Sequence, residues 1–262
     1  MPVSITINAM SDLIDHDLNA GTRVTPVTVL TGSLRAGKTT LLNRIICLLM
    51  LCGLLGASAA TFAKLDRADT TTGYLARLLI NETPFPGERG YESEADTQAA
   101  MLAILWVLHS RIHLIPEGYT QRQVAGVQSR DIIDVITGTG GRRQCEGFYR
   151  DSSGRFVTLP RVEERIENLL GIANSGGKPG RFAGLINYAQ GLARAYFKAG
   201  IEGADRYARL TSVGPVPVTG HAYSWMTDVD SYHPGGNFVS IPPTDDGSLG
   251  GNRFFTLRKE PK

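Results

Sequence analysis

The chain has 262 residues, of which 42% are hydrophobic and 20% are charged, an ordinary balance that is sufficient for a globular core. The formal net charge is only +2. The sequence contains no block of lysine or arginine, so nucleic acid is not an expected partner.

A phosphate-binding pattern lies near the N-terminus. Val27–Leu30 is typical of a short strand, and it leads into the sequence Gly-Ser-Leu-Arg-Ala-Gly-Lys-Thr. In such a loop the glycines let backbone amides surround phosphates, a lysine reaches the terminal phosphates and a threonine binds magnesium. The pattern supplies four candidate nucleotide-binding residues: Gly32, Gly37, Lys38 and Thr39.

Residues 26–46 resemble the start of CobW-type metallochaperone GTPases. The later sequence has neither an Asn-Lys-x-Asp motif for guanine nor a Cys-x-x-Cys metal motif. A P-loop nucleotide-binding protein is therefore retained as the alternative function, and neither a metal nor a cofactor is predicted for the main one.

A second N-terminal pattern is typical of export. Arg44 precedes an uncharged apolar run, Ile45–Leu55, which is followed by an Ala57-x-Ala59 exit. These features predict a secretory signal peptide, while the uncharged stretch continuing to Ala63 leaves a membrane anchor open. The predicted organisation is an extension over 1–43, a signal peptide or anchor over 44–63, and a domain over 64–262. The expected location is periplasmic or cell-wall associated, with transient membrane contact through the signal segment.

The most informative pattern is a helical stripe that ends in an acid. Leu75, Leu78, Leu79 and Glu82 fall on one helix face. The segment Thr83–Gly87 contains two prolines and a glycine, so the helix must end beside Glu82. A half-buried carboxyl group has a raised pKa and can act as a proton donor near neutral pH. The plainer alternative is an exposed glutamate at a helix end.

A second helix is predicted over Thr97–Ile112, with small residues such as Ala100 and Ala103 on the side that another helix approaches. Further along, a helix with a break near Ser129 is expected over 121–136. A hairpin is expected over 148–159. Two more helices are expected over 162–172 and 182–199, followed by aromatic-rich strands and loops.

Together these segments resemble the cell-wall hydrolase family typified by the spore cortex-lytic enzyme SleB, over residues 72–258. The resemblance rests on the following segments: Ala76-Arg-Leu-Leu-Ile-Asn-Glu82, the helix Gln98–Ile112, Gln144-Cys-Glu-Gly-Phe148, Gly220-His-Ala-Tyr-Ser-Trp225 and Gly251-Asn-Arg-Phe-Phe255.

The resemblance implies a lysozyme-like, mostly helical α+β fold that acts as a monomer on peptidoglycan glycan strands. It also implies Glu82 as the general acid of a muramidase or lytic transglycosylase. Glu88, Asp96 and Glu146 are conceivable second carboxylates, and none has a convincing claim, which favours the transglycosylase route. A wall-binding domain without turnover is a further alternative. The candidate substrate-binding residues are Glu146, Phe148, Tyr149, Tyr188, Tyr223 and Trp225.

Cys145 would be the single cysteine of the mature domain, so no internal disulfide is expected. A nucleophilic role for Cys145 is a minor alternative, because no histidine is arranged recognisably beside it in the sequence. His109 and His113 have helical i, i+4 spacing, but they lack the glutamate of a zinc-binding H-E-x-x-H motif.

Overall fold

The computed structural model describes residues 62–138, 145–177, 180–227 and 234–260. The phosphate-binding pattern and the signal-peptide pattern up to residue 61 lie outside these residues. Within the described ranges, no helix has the length and apolarity that a bilayer-spanning segment needs.

The fold of the described residues is α+β, with more helix than strand, as predicted. The helices are α1 (Thr71–Asn81), α2 (Glu94–His113), α3 (Gln121–Ala125), α4 (Ile132–Thr137), α5 (Pro160–Ser175) and α6 (Arg181–Ala199). The strands are β1 (Phe148–Arg150), β2 (Phe156–Thr158), β3 (Ser212–Val213), β4 (Val216–Pro217), β5 (Ser224–Thr227), β6 (Phe238–Ser240), β7 (Ser248–Leu249) and β8 (Asn252–Leu257), with a short 3-10 turn at Pro243–Asp245.

Helix α1 is the centre of the core. The sequence predicts one apolar face, whereas every residue from Gly73 to Ile80 is buried. The difference arises because α2, α5 and α6 enclose α1 on several sides. Even Arg77 is buried, and its guanidinium donates to the carbonyl oxygens of Asp66 (2.8 Å) and Gly73 (3.1 Å).

The ends of α1 follow from local sequence signals. The Thr70 side chain caps the first turn by accepting a hydrogen bond from the amide of Gly73 (3.1 Å). At the other end the Thr83 hydroxyl donates to the carbonyl of Leu79 (2.8 Å), and the following prolines stop the helix. Glu82 therefore occupies the C-cap position, as the sequence predicts.

An N-terminal segment, residues 62–67, runs along α5 and α6 and is held by side-chain amides. Asn174 Oδ1 accepts from the amide of Ala63 (2.9 Å), and Asn187 Oδ1 accepts from the amide of Lys64 (3.2 Å). Asn187 lies on α6, and its amide group fixes this segment to that helix.

The largest sheet places two strands beside the end of α1. Its strands are antiparallel in the order β5-β8-β6, and β7 also pairs with β8. Trp225 lies opposite Phe254, and Thr227 lies opposite Asn252. Since alternate residues of a strand share a face, Trp225, Thr227 and Asn252 lie on the same face.

Candidate functional site

Glu82 lies at the junction of two hollows in the surface. The first has a volume of about 470 Å³ and the second about 770 Å³. Asn81, Glu82, Arg165 and Thr227 line both. The two hollows therefore form one cleft with the carboxyl group of Glu82 near its middle.

Residues from strands β5 and β8 bind Glu82. Its Oε2 atom accepts a hydrogen bond from Trp225 Nε1 (3.0 Å), and its Oε1 atom lies 3.4 Å from Asn81 Nδ2. The amide of Asn252 donates to the main-chain carbonyl of Glu82 (2.8 Å). The side chain and the backbone of the candidate acid are therefore both fixed in position.

The pKa of Glu82 is raised, and the principal cause is burial of its carboxyl group. Part of the residue still reaches solvent at the cleft, but the protein surrounds the carboxyl group closely enough for desolvation to dominate. The hydrogen bonds from Trp225 and Asn81 and the positive charge of Arg165 oppose the shift, while the negative charge of Glu146 adds to it. The environment therefore favours a protonated Glu82.

Arg165 of α5 fastens the loop that follows Glu82. Its guanidinium donates to the carbonyl oxygens of Ile80 (2.8 Å) and Thr83 (3.1 Å) at the end of α1. It also forms a two-pronged ion pair with Glu88, with N–O distances of 3.1 and 2.6 Å. Because Glu88 Oε2 also accepts from the amide of Phe85 (2.7 Å), this carboxylate is fully engaged.

In the outer wall of the first hollow, the backbone at Gly90 packs directly against the backbone at Gly251. A Cβ atom placed on Gly90 would lie 2.9 Å from the Cα of Gly251. Both glycines have positive φ, and neither position admits a side chain at low cost. Asp96 Oδ2 accepts from the amide of Gly250 (2.8 Å), which ties the start of α2 to the same turn.

The second hollow has an aromatic floor supported by a buried arginine. The Arg111 guanidinium lies 5.4 Å from the centre of the Trp225 ring, and its Nε donates to the carbonyl of Tyr223 (2.7 Å). Burial lowers the pKa of Arg111 to about 10, so it remains a cation at neutral pH. Trp225 is therefore held from behind while its indole N–H points to Glu82.

The structure brings two of the six predicted substrate-binding residues to the cleft, Glu146 and Trp225. Glu146 is exposed at the rim of the second hollow and is paired with Arg161. Phe148 and Tyr223 are buried and line neither hollow. Phe148 is fully buried edge-to-face against Tyr74, with ring centres 5.2 Å apart, and the buried Tyr223 donates its hydroxyl to the carbonyl of Leu114 (2.6 Å).

Tyr149 and Tyr188 are also elsewhere. Tyr149 belongs to β1, and its main-chain carbonyl lies 3.4 Å from the Tyr74 hydroxyl. Tyr188 packs from α6 against the core, and burial raises its pKa. Neither is among the described residues that line the two hollows. Aromatic content alone did not distinguish core positions from cleft positions.

Two residues that bind the Glu82 region were not among the predicted site residues. Asn252 lies within the Gly251–Phe255 segment that carries part of the family resemblance, but nothing in that segment's sequence distinguishes Asn252 as a site residue. Arg161 and Arg165 have i, i+4 spacing on α5, which places both guanidinium groups on one surface of the helix. This spacing is the signal in the sequence from which Arg165 could be predicted.

The structure does not support the nucleophilic alternative for Cys145. Its thiol is buried, and burial raises its pKa far above the ordinary value. The negative charge of Glu82 adds to this effect and the positive charge of Arg111 opposes it. A thiol in this environment stays protonated, whereas nucleophilic attack requires the thiolate.

The fold and the cleft together define an α+β protein with a half-buried carboxylic acid between two hollows. Comparisons with protein-family models, curated proteins and solved structures returned no match for this chain.

Proposed function

We propose that the domain cleaves the glycan strand of peptidoglycan, that its fold is of the lysozyme-like kind, and that Glu82 is its general acid. The observation that carries the proposal is the raised pKa of a fixed carboxyl group between two hollows. A sugar chain crossing Glu82 would place sugars in both hollows and the scissile oxygen beside the acid. The export pattern over 44–63 agrees with such a substrate.

In the proposed reaction the Glu82 carboxylic acid donates its proton to the glycosidic oxygen as the bond from that oxygen to the anomeric carbon breaks. In the transglycosylase route the 6-hydroxyl of the same sugar then bonds to the anomeric carbon and returns a proton to the Glu82 carboxylate. The product has a 1,6-anhydro end. In the hydrolytic route water takes the place of the 6-hydroxyl.

The engagement of nearby carboxylates favours the transglycosylase route. Glu88 is bound by Arg165 and a backbone amide, Asp96 accepts from the amide of Gly250, and Glu146 is paired with Arg161. A hydrolytic glycosidase normally uses a second carboxylate to activate water or to attack the sugar. These three groups are occupied by protein donors, which favours the sugar's own hydroxyl as the nucleophile over water activated by one of them; Glu92 is the further carboxylate that lines the first hollow.

The test compares the wild-type chain with Glu82→Gln on soluble glycan strands, and mass spectrometry identifies the products. We expect a loss of about 100-fold or more in rate, since general acid catalysis contributes on that order. The control is Glu167→Gln, on the exposed side of α5 away from the cleft, which should keep full activity. The melting temperature at pH 7 should not fall in Glu82→Gln, because a neutral amide avoids the desolvation cost of a carboxylate.

Each alternative has its own outcome. Sacculus binding by both wild type and Glu82→Gln, without released fragments, would support a wall-binding domain. Saturable GTP or ATP binding that is lost in Lys38→Ala, without any glycan cleavage, would support the nucleotide-binding alternative. An active Glu82→Gln variant would exclude the proposed mechanism.

A further inference from the structure

The two hollows differ in the charge of their linings. Among the described residues, four carboxyl groups and two guanidinium groups (Arg89 and Arg165) line the first hollow, whereas four guanidinium groups and two carboxyl groups (Glu82 and Glu146) line the second. The carboxylates of the first are Glu82, Glu88, Glu92 and Asp96. The guanidinium groups of the second are Arg111, Arg122, Arg161 and Arg165. A strand lying across Glu82 would therefore experience opposite potentials on its two sides.

Three of the four arginines in the second hollow are already engaged. Arg165 is paired with Glu88, and Arg161 is paired with Glu146. Arg111 is buried between the carbonyl of Tyr223 and the ring of Trp225. The contacts of Arg165 and Arg111 hold the cleft walls together, whereas the pair of Arg161 with Glu146 is mostly exposed and only occupies the Arg161 guanidinium.

Arg122 is different. It is exposed on α3 and lines the second hollow. Within the described part of the chain, its guanidinium has neither a hydrogen-bond partner nor an ion-pair partner. A guanidinium can bind a carboxylate through two parallel hydrogen bonds, and an unengaged one at a cleft is available to a ligand.

The backbone around Arg122 is fixed even though its side chain is exposed. Thr120 and Gln123 form a capping box at the start of α3, and Gly126 ends the helix in a left-handed conformation. Val124 packs with Tyr223 in a small buried cluster. The short helix therefore presents Arg122 at the hollow from an anchored position.

We propose that Arg122 is a specificity-determining residue that binds a carboxylate carried by the sugar in the second hollow. This inference rests on the proposed glycan-cleaving function. Peptidoglycan alternates an amino sugar that bears carboxylate groups on its substituent with a neutral amino sugar. The basic hollow suits the first of these sugars, and the acidic hollow suits the neutral one. Arg122 thereby sets the register of the strand across Glu82, so that one of the two alternating glycosidic bonds is cleaved.

The carboxylate has two sources: the lactyl group of a muramic residue without peptide, or the attached peptide. The test uses three soluble glycan strands. One bears peptides, one has been stripped of peptides and exposes lactyl carboxylates, and one has been stripped and its lactyl carboxylates converted to amides. Wild type, Arg122→Gln, Arg122→Lys and Arg122→Glu are assayed on each strand.

We expect Arg122→Gln to raise KM about fivefold on carboxylate-bearing strands with little change in kcat, because an exposed ion pair contributes modest uniform binding. Arg122→Glu should raise KM further, and Arg122→Lys should have a smaller effect. The amidated strand should show the higher KM already with wild type, without a further increase in Arg122→Gln. The matched control is Arg130→Gln, an exposed arginine outside both hollows, which should behave as wild type.

The source of the carboxylate follows from which strands respond. An effect restricted to the peptide-bearing strand identifies the peptide, an effect restricted to the stripped strand identifies the lactyl group, and an effect on both shows that Arg122 binds the carboxylate of either. Equal KM values for wild type and Arg122→Gln on all strands would overturn the role of Arg122 while leaving the role of Glu82 intact. Failure of wild type to cleave any strand would overturn both proposals.

Discussion

The two ends of α1 each have a carboxylate, and the two carboxylates have opposite pKa shifts. Asp66, just before the helix, accepts hydrogen bonds from Arg194, Thr72 and Gln190. The hydrogen bond from Arg194 is the largest cause that lowers the pKa of Asp66 to about 2. Glu82, at the other end, is surrounded by protein and its pKa is raised.

The two pKa shifts differ because hydrogen-bond donors dominate at Asp66, whereas desolvation dominates at Glu82. A carboxylate that accepts several hydrogen bonds, one of them from a guanidinium, is stabilised in its charged form. Glu82 accepts from Trp225 and Asn81, and these bonds do not offset the loss of water around its carboxyl group. The contacts of Asp66 stabilise the fold, whereas the surroundings of Glu82 keep this acid protonated at some cost to stability.

The largest expected loss of stability comes from Gly73→Ala, which disrupts the N-terminal end of α1. A Cβ atom at this position would lie 2.1 Å from the carbonyl oxygen of Arg67 and 2.7 Å from that of Asp66. The N-terminal segment would have to move, so we expect a loss of about 2 to 3 kcal/mol in the free energy of unfolding by urea. Gly171→Ala is the control, because it is exposed within α5 and a Cβ there meets nothing within 4 Å. It should gain about 0.5 to 1 kcal/mol, and an equal loss in both variants would contradict this explanation.

The second-largest expected loss of stability comes from Arg165→Gln, which disrupts the C-terminal end of α1. The substitution removes the ion pair with Glu88 and two hydrogen bonds to carbonyl oxygens. We expect a loss of about 2 kcal/mol in urea unfolding, because Glu88 is left partly buried without its cation. The control is Arg161→Gln, whose pair with Glu146 is mostly exposed and which should change stability by less than about 0.5 kcal/mol. An additional Glu88→Gln substitution should restore part of the loss, and no recovery would argue against the ion pair as the cause.

A smaller effect tests the charged state of Asp66. Its pKa is about 2 in the folded protein against an ordinary value of 3.8, so the unfolded chain binds more protons between these values. Stability from this group is therefore present above pH 4 and is lost as the pH falls through 2. Asp66→Asn should lower stability at pH 7 by about 1 kcal/mol, a figure reduced for partial solvent exposure. It should also flatten the acid limb of stability against pH. Asp69→Asn is the exposed control, and a similar acid limb in wild type and Asp66→Asn would refute the assignment.

The smallest effect concerns the pH profile of activity. The Trp225 hydrogen bond lowers the pKa of Glu82, so Trp225→Phe should raise that pKa further while retaining an aromatic ring above Arg111. Glu82 acts as an acid in the proposed reaction, and its protonated fraction falls as the pH rises through its pKa. The alkaline limb of kcat/KM should therefore move to higher pH in Trp225→Phe. Trp106→Phe, on α2 away from the cleft, should leave that limb unchanged.

Local patterns predicted much of the fold and one part of the site. The prolines after Glu82 placed it at a helix end, and the break in the helix over 121–136 falls between α3 and α4. Periodicity did not show that α1 is enclosed on several sides, because other helices bury the residues outside its apolar stripe. It also could not distinguish Phe148 in the core from Trp225 in the cleft, since both are aromatic residues in short strands.

The sequence by itself determined where the helices begin and end and which carboxylate terminates an apolar stripe. These features depend on caps, prolines and side-chain period, all of which act over a few residues. Only the tertiary structure decided what surrounds Glu82. Trp225 and Asn252 reach it across 143 and 170 residues of chain. Their positions follow from strand register and helix packing, and the raised pKa follows from the water that this packing excludes.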